Sequence, residues 1–273
     1  MDLHRQELFR FQPSAIPNRL RLLTLARDLR RRRARDRQGL FVAEGVRAVE
    51  ELIQSPLRVR GALVDPPRLA ATPRGAALRQ RLDAAGVELL EVGERDFDSA
   101  AETESPQGIL AVAEVPRRQL ETLLVGPAAR IAVLDAIQDP GNVGTILRTA
   151  AALGAAATVA LPGTVDLWNA KVVRSSMGAH FRHPALPSTW DELDAFRRVR
   201  GAALWLADAG GEPLDAAEPP AGPLCLVLGN EGSGASAEAR RRADRVVSLP
   251  IASTIESLNV AVAAGILLYE LRA

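Results

Sequence analysis

Three glycine-punctuated turns carry the residues most able to do chemistry, and each directly follows a short apolar run that predicts a strand. They are DPGNVGT at 139–145, LGNEGSG at 228–234 and LPIASTIESLN at 249–259. Glycine lets the backbone approach a ligand closely, and the start of a helix offers N–H groups that lack intrahelical partners. The three stretches therefore predict a polar ligand site where the strands end.

Polar side chains in and after these turns are the candidates for chemistry. Arg148 stands alone in an Ala-rich segment, six residues after Asn142. Its permanently charged guanidinium can bind a phosphate and stabilise developing negative charge. Taken singly, each candidate also fits a structural role. Arg148 fits a surface arginine, Asn142 a turn residue, Glu231 an acid at a helix start, and Ser257 and Asn259 a helix N-cap and its neighbour.

Several classes of site are excluded by the residues that are missing. None of the turns is a Walker A loop or a GxGxxG fingerprint in context, and the single lysine, Lys171, lies outside them. A nucleotide hydrolase or a dinucleotide-dependent enzyme is therefore not expected. Cys225 is the only cysteine, which excludes an intrachain disulfide, and His180 and His183 have no further ligands nearby in the sequence. We expect no metal site.

Composition indicates a globular protein of one large domain or two ordinary ones. Of the 273 residues, 47% are hydrophobic and 25% charged, while only 4% are aromatic, which argues against RNA binding by extensive base stacking. The first 20 residues lack the apolar core of a signal peptide, and the run LNVAVAAGILLYEL is too short to span a membrane. We expect a cytoplasmic protein without a membrane partner.

Charge is distributed unevenly along the chain. Residues 1–37 contain 11 arginines and four acidic residues, a net of +7, so the remainder carries about −6 to give the overall +1. Such asymmetry is typical of an arm that binds nucleic acid, although a solvated helix face would give the same pattern. The leucines of this segment lie on one side of a predicted helix: Leu20, Leu23, Leu25 and Leu29.

Strand and helix signals alternate through the rest of the chain. GLFVAEGVRAVEELIQSPLRVRGALVD predicts a strand, a helix opened by Gly45 and a second strand, followed by another helix, a strand and the strand GILAVAEV. After the predicted linker PRRQLETLLVGPAAR, further apolar strands alternate with helices, and the last helix lies in ESLNVAVAAGILLYELR. This order predicts an α/β fold with a mostly parallel sheet and helices on both faces.

Considered together, the motifs resemble a known family. DPGNVGTILRTAAALGA, LVLGNEGSGAS and LPIASTIESLNVAVAAGILLYE resemble, in order and spacing, the three motifs of the SpoU (TrmH-like) RNA 2′-O-ribose methyltransferases of the SPOUT class. KVVRSSMGAHFRHP is similar to a stretch between the first two. GLFVAEGVRAVEELI resembles the start of the family's small substrate-binding domain, which is similar to ribosomal protein L30. The resemblance covers the chain from about Asn18 onward.

The resemblance implies four segments and a knotted fold. They are a basic N-terminal extension (1–37), an L30-like RNA-binding domain (38–116), a linker (117–127) and a SPOUT methyltransferase domain (128–273) with a C-terminal trefoil knot. It also implies a homodimer in which the long C-terminal helix contributes to the interface and the site is completed between the two subunits.

The resemblance further implies S-adenosyl-L-methionine as the methyl donor. Gly229, Leu249 and Leu258 match the positions that bind it through backbone and apolar contacts. By themselves these residues fit a turn glycine and two core leucines.

Five residues match the family's catalytic positions. Arg148 is the key residue, acting on the ribose hydroxyl with help from a substrate phosphate or holding that phosphate and stabilising the alkoxide. Asn142 positions the substrate or Arg148, and Glu231 orients Asn142 or a helix-start amide. Ser257 and Asn259 form the polar pair of the third motif.

The function implied is methyl transfer to a ribose 2′-hydroxyl of RNA, with ribosomal RNA favoured over tRNA by the basic N-terminal segment. Three alternatives remain open at this point. One is a SPOUT base methyltransferase, which the Asn142–Arg148 pair disfavours. The others are a tRNA-directed 2′-O-methyltransferase and a non-catalytic RNA-binding or assembly factor, the latter disfavoured by the complete set of motif residues.

Overall fold

The computed structural model describes residues 19–123, 125–252, 254 and 257–272. Its strands are β1 (Leu40–Glu44), β2 (Val59–Val64), β3 (Leu89–Glu91), β4 (Ile109–Glu114), β5 (Arg130–Leu134), β6 (Ala157–Ala160), β7 (Ala185–Pro187), β8 (Ala203–Pro213), β9 (Leu224–Leu228) and β10 (Arg245–Ser248). Its α-helices are α1 (Arg19–Asp28), α2 (Arg32–Gln38), α3 (Val46–Ile53), α4 (Pro66–Ala70), α5 (Pro73–Ala84), α6 (Glu94–Ala100), α7 (Pro140–Ala152), α8 (Ala170–Ser175), α9 (Trp190–Arg200), α10 (Ala237–Arg242) and α11 (Val260–Glu270).

The six strands from β5 to β10 form the C-terminal sheet, in the order β10-β8-β9-β5-β6-β7, and all of its pairings are parallel. Neighbouring residues of β5 point to opposite faces. Ile131 and Val133 pack with α9 and α10, whereas Ala132 and Leu134 pack with α7, α8 and α11. Alternate side chains of a strand face opposite ways, so an apolar run buried on both sides needs helices on both. The predicted parallel sheet is confirmed.

The strands β1 to β4 form the N-terminal sheet, in the order β1-β4-β2-β3. β4 pairs antiparallel with both β1 and β2, and β2 pairs parallel with β3. The predicted strand–helix–strand unit is present as β1, α3 and β2, and Gly45 precedes α3 with a positive φ of 99°. A residue with a side chain is strained at such an angle, so glycine suits this sharp strand-to-helix turn.

Residues 19–37, which the sequence assigns to a separate basic extension, pack against the N-terminal sheet. Leu22, Leu23, Ala26 and Leu29 are buried with side chains of β1, β2, β4 and α6. Leu25 is half-buried, while residues 1–18 and the side chain of Leu20 lie outside the described residues. The apolar face of α1 therefore contributes to the core, while Arg21, Arg30, Arg32, Arg33 and Arg37 are exposed.

The two sheets are joined by a shared hydrophobic core and a buried ion pair. Phe41 of β1 packs on Trp168 and Phe181, with ring centroids 4.4 Å and 5.9 Å apart. Arg35 of α2, 5% exposed, pairs with Asp166 at 2.6 Å. We call this contact region the joint. It holds the N-terminal sheet in place beside the carboxyl ends of β6 and β7.

The predicted linker, residues 117–127, is anchored to the C-terminal sheet. Leu120 is buried in the same cluster as Phe196 of α9. Arg200 donates hydrogen bonds to the carbonyl oxygens of Glu121 and Leu123, at 3.3 Å and 3.2 Å. The chain thus lies against α9 as it crosses between the two sheets.

No helix among the described residues is long and apolar enough to cross a membrane. No group of three or more His, Cys, Asp or Glu side chains among them is arranged to hold a metal ion.

Candidate active site

The first motif forms the start of α7 rather than a free turn. Asp139 caps the helix by accepting a hydrogen bond from the backbone N–H of Asn142 at 2.8 Å, and Pro140 occupies the first helical turn. An N-cap carboxylate followed by proline starts a helix, so residues 140–145 are helical where the sequence predicts a turn. Gly144 has a packing role: a Cβ there would overlap the side chain of Ser175, so glycine lets α8 cross close to α7.

Three of the predicted catalytic residues meet in one hydrogen-bonded chain, which we call the polar network (Asn142, Glu231, Asn259). The Asn142 amide nitrogen donates to Glu231 Oε1 at 3.0 Å, and its amide oxygen accepts from Asn259 Nδ2, also at 3.0 Å. Asn259 Oδ1 in turn caps α11 by accepting from the backbone of Ala261 and Val262. The Asn142 side chain is therefore held at both ends and cannot flip without losing a bond.

Glu231 is the negatively charged member of the polar network. It also accepts hydrogen bonds from the backbone N–H groups of Gln138 and Asp139, each at 3.3 Å. Partial burial works to raise the pKa of this carboxyl, but hydrogen bonds from Asn142 and from backbone N–H groups outweigh it and hold the pKa below its ordinary value. Glu231 is therefore ionised at neutral pH and fixes which end of the Asn142 amide points toward it.

The second motif folds into a tight turn after β9, and glycine is required where that turn closes. A Cβ on Gly229 would lie 2.6 Å from the backbone nitrogen of Ala235. Asn230 ties the turn internally, because its Oδ1 accepts from the backbone of Gly232 and Ser233, both at 2.9 Å. Its amide nitrogen donates to the carbonyl oxygen of Ala136 at 2.7 Å, which links this turn to the segment before α7.

A cleft of about 570 Å³ lies at the carboxyl ends of β9 and β10, beside residues 207–209 of β8 and the start of α11. Seven of the eight predicted site residues line it: Asn142, Gly229, Glu231, Leu249, Ser257, Leu258 and Asn259. The second and third motifs thus face each other across one space, and the polar network forms part of its wall.

Arg148, the eighth predicted residue, does not line this cleft. It lies on the exposed side of α7, and its guanidinium makes no hydrogen bond or ion pair with the residues that the structure describes. Six residues along a helix turn the side-chain direction by about 120° from that of Asn142. The structure therefore brings the polar network together within one chain and leaves Arg148 apart from it.

Two acidic residues that the sequence analysis missed support the same cleft. Asp135 is buried directly after β5, and its carboxylate accepts the backbone N–H of Ser236 at 2.8 Å, just before α10. Asp208 lines the cleft and pairs with Arg240 at 2.7 Å. An acid at the carboxyl end of an apolar strand is the only signal that could have indicated Asp135.

The cleft fits a ligand that combines an apolar ring system with a positive charge. Its volume falls within the range of about 300–1,000 Å³ that small-molecule sites occupy. Leu249, Ile251 and Leu258 supply apolar walls, and Glu231 supplies a carboxylate that pairs with no cation among the described residues. S-adenosylmethionine, the donor implied by the resemblance, has a purine ring and a cationic sulfonium. The residues present therefore fit it.

Comparison with known proteins identifies both halves of the chain. Residues 129–269 match the model of the SpoU rRNA methylase family, and residues 24–111 match an MRM3-like substrate binding domain. The chain is 37% identical over 252 residues to 23S rRNA (guanosine(2553)-2′-O)-methyltransferase RlmP of Bacillus subtilis (strain 168), covering 90% of this chain and 94% of that protein.

Two further matches, one to a sequence and one to a solved structure, extend over most of both chains. The 23S rRNA (uridine(2479)-2′-O)-methyltransferase of Streptomyces viridochromogenes is 32% identical over 253 residues, covering 88% of this chain and 84% of that one. The crystal structure of the SpoU methyltransferase AviRb from Streptomyces viridochromogenes, in complex with the cofactor AdoMet, superposes with a TM-score of 0.81 at 29% identity. It covers 92% of this chain and 96% of the other.

Proposed function

The chain belongs to the SpoU rRNA methylase family, and from this we propose that it transfers a methyl group from S-adenosylmethionine to the 2′-hydroxyl of a ribose in ribosomal RNA. The observation that carries the proposal is the polar network at the cleft wall, in which Asn142 is held between Glu231 and Asn259 at 3.0 Å on each side. Both matched relatives are named as 2′-O-methyltransferases of 23S rRNA, which favours ribose over base chemistry and rRNA over tRNA.

The cofactor residues are Gly229, Leu249 and Leu258. Leu249 and Leu258 contact the apolar part of the donor. The tight turn at Gly229 lets its backbone approach the donor closely. When bound, the donor supplies an electrophilic methyl group on a positively charged sulfur. The ionised Glu231 carboxylate lies at the cleft wall and attracts the positively charged sulfur electrostatically.

Arg148 holds a substrate phosphate and stabilises the negative charge that grows on the 2′-oxygen as its proton leaves. A guanidinium is charged throughout the physiological range, so electrostatic stabilisation suits it better than taking a proton. Its lack of partners among the described residues supports this role, because its N–H groups are free to bind an anion. Asn142 and Ser257 position the ribose from the cleft wall.

The site is completed in a homodimer, with Arg148 of one subunit acting at the cleft of the other. Two observations support this arrangement. Arg148 points away from its own chain's cleft, on the helix that α11 packs against. On α11, Val262, Ile266 and Tyr269 form one helical stripe and are 52%, 40% and 50% exposed, which leaves an apolar face for a second copy to cover. An apolar groove of about 450 Å³ beside this stripe shares Leu249, Ile251 and Leu258 with the cleft.

The remaining architecture is proposed on the same family basis. Residues 38–116 form the L30-like RNA-binding unit, residues 117–127 the linker and residues 128–273 the methyltransferase unit with a trefoil knot. The MRM3-like match supports the first assignment, and the packing of α1 on β2 and β4 adds residues 19–37 to that unit. The knot is proposed from the family alone.

The direct test is methyl transfer by the full chain. Purified protein is incubated with methyl-labelled S-adenosylmethionine and protein-free total RNA from a strain lacking this protein; the ribosomal RNA and tRNA are then separated, and the digested nucleosides of each are analysed by mass spectrometry. We expect label in a 2′-O-methylnucleoside from 23S rRNA, and none with the Asn142→Ala variant. Label on a base, or label only on tRNA, would overturn the proposal.

A further inference from the structure

A second large crevice, about 630 Å³, lies at the joint and is separate from the cleft. Its walls come from α2, from the chain after β4, and from the carboxyl ends of β6 and β7. We call it the joint crevice. Three arginines line it, Arg32, Arg35 and Arg118, together with two acidic residues, Asp36 and Asp166. The N-terminal and C-terminal sheets thus both contribute charge to one space.

Arg35 and Asp166 are fully used by each other and by the backbone. Arg35 donates to Asp166 Oδ2 and to the carbonyl oxygens of Leu29 and Arg30. The other oxygen of Asp166 accepts the backbone N–H of Trp168 at 3.0 Å. The Arg32–Asp36 pair is long, 3.7 Å, and both side chains are 65% exposed. The Asp166 carboxylate is therefore already compensated, and the exposed Asp36 makes no hydrogen bond or ion pair with Arg118.

Arg118 is the cation left without a partner. Its guanidinium makes no hydrogen bond to the described residues, and its Nη1 is shielded from solvent. Burial lowers the pKa of Arg118, and no neighbouring carboxylate acts against that shift. Because a partly buried, unpaired cation is costly and arginine stays protonated, such a group favours an anion from outside the chain. Phosphate matches the planar fork of a guanidinium.

The joint crevice leads toward the polar network. A smaller groove of about 360 Å³ shares Arg32, Arg35 and residues 163–166 with it, and adds Gln138 and Asn169. Gln138 is the residue whose backbone N–H donates to Glu231. One continuous depression therefore runs from Arg118, along the loop after β6, to the start of α7. A single small ligand would not require this continuity, whereas a strand of RNA would.

We propose that the joint crevice binds a backbone phosphate of the RNA strand flanking the methylated ribose, with Arg118 as its phosphate-binding residue. The inference rests on the proposed function for the identity of the strand. It assigns a positioning role to a linker residue that lies outside the three motifs: Arg118 fixes the strand between the two sheets so that the ribose reaches the cleft.

The test compares Arg118→Gln with Arg117→Gln in the full chain. Arg117 is the adjacent arginine, is exposed and does not line the crevice, so the two variants lose the same charge. Binding of protein-free ribosomal RNA is measured across a salt series. We expect Arg118→Gln to weaken binding about tenfold. Its plot of log affinity against log salt should become less steep by about 0.7 to 0.9, one phosphate contact. S-adenosylmethionine affinity should not change, and Arg117→Gln should match wild type.

Three outcomes would overturn the inference. The first is that Arg118→Gln and Arg117→Gln give the same slope of log RNA affinity against log salt, although the wild-type protein methylates RNA. The second is loss of folding in Arg118→Gln, which would show that the protein itself satisfies this side chain. The third is tight competition by adenosine monophosphate or inorganic phosphate that depends on Arg118 while RNA binding does not, which would assign the crevice to a small phosphate ligand. If wild type transfers no methyl group but the Arg118 effect on RNA binding holds, the proposed function fails and the phosphate site stands.

Discussion

The joint and the polar network both depend on hydrogen-bonded polar side chains, but they differ in how complete they are within one chain. At the joint, Arg35 is 5% exposed and its donors are used by Asp166 and by backbone carbonyls. At the cleft, Asn142, Glu231 and Asn259 satisfy one another in a partly exposed position, and Arg148 on the same helix as Asn142 binds nothing in the described chain.

This difference separates stability from function. Removing one partner of a buried ion pair leaves the other charge buried and unpaired, and this strongly lowers the free energy of unfolding. An exposed hydrogen-bonded network adds little free energy, yet it fixes the orientation of an amide that must meet substrate. We therefore expect substitutions at the joint to lower the free energy of unfolding, and substitutions at the network and at Arg148 to lower turnover of a well-folded protein.

The largest effect is expected at the joint. Arg35→Ala leaves the Asp166 carboxylate buried beside the core and removes the donors to Leu29 and Arg30, so the free energy of unfolding should fall by about 3–5 kcal/mol. Urea denaturation followed by circular dichroism measures it. Arg32→Ala, on the same helix but in an exposed pair, is the matched control and should change it by less than about 0.5 kcal/mol. Equal small changes in both variants would mean that the joint is not held by this pair.

Arg148→Lys should have the next largest effect, on catalysis alone. Lysine keeps the charge but loses the planar fork, so kcat should fall by about 100- to 1,000-fold, as when a donor that stabilises a developing anion is removed. Donor affinity by calorimetry and the unfolding midpoint should stay at wild-type values, because Arg148 is exposed and its proposed ligand is the substrate phosphate rather than the donor. The control is Arg198→Lys, an exposed arginine on α9. Near-normal turnover of Arg148→Lys would remove both roles considered for this residue.

Local sequence pattern predicted the elements of the molecule better than the contacts between them. Alternating apolar runs and helical segments located the strands of the parallel sheet and their covering helices. The first motif was less well predicted, because Asp139 and Pro140 begin α7 earlier than the glycines suggest. Gly144 is read from sequence as a turn glycine, and only the crossing of α8 shows that its missing side chain makes room for Ser175.

The site shows the same limit. Motif resemblance selected Asn142, Glu231 and Asn259, but the Asn142–Asn259 hydrogen bond joins residues 117 positions apart, and no local rule predicts it. Arg118 could not have been found at all. In the sequence it is one of two arginines in a linker, and its partial burial arises in a crevice lined by α2, the chain after β4 and the ends of β6 and β7. Tertiary placement, rather than residue type, distinguishes Arg118 from Arg117.

The smallest expected change in activity comes from mixing two inactive variants, which tests whether the cleft of one chain is completed by Arg148 of a second chain. Arg148→Ala and Asn142→Ala are each expected to be inactive as homodimers. If Arg148 acts on the partner's cleft, a mixed dimer contains one cleft with both residues intact and one with neither. After co-refolding at equal amounts, half of the dimers are mixed, so about a quarter of wild-type activity should return.

The control mixture combines a chain that carries both substitutions with a wild-type chain. Its mixed dimer has no complete cleft, so only the wild-type homodimers contribute, again about a quarter of wild-type activity. Titrating that doubly substituted chain in excess then drives this activity toward zero. If Arg148 acts within its own chain, the first mixture stays inactive, while the same excess of doubly substituted chain leaves the intact chain working. The two titrations therefore separate a cleft completed by its partner from one that, like the joint, is complete in a single chain.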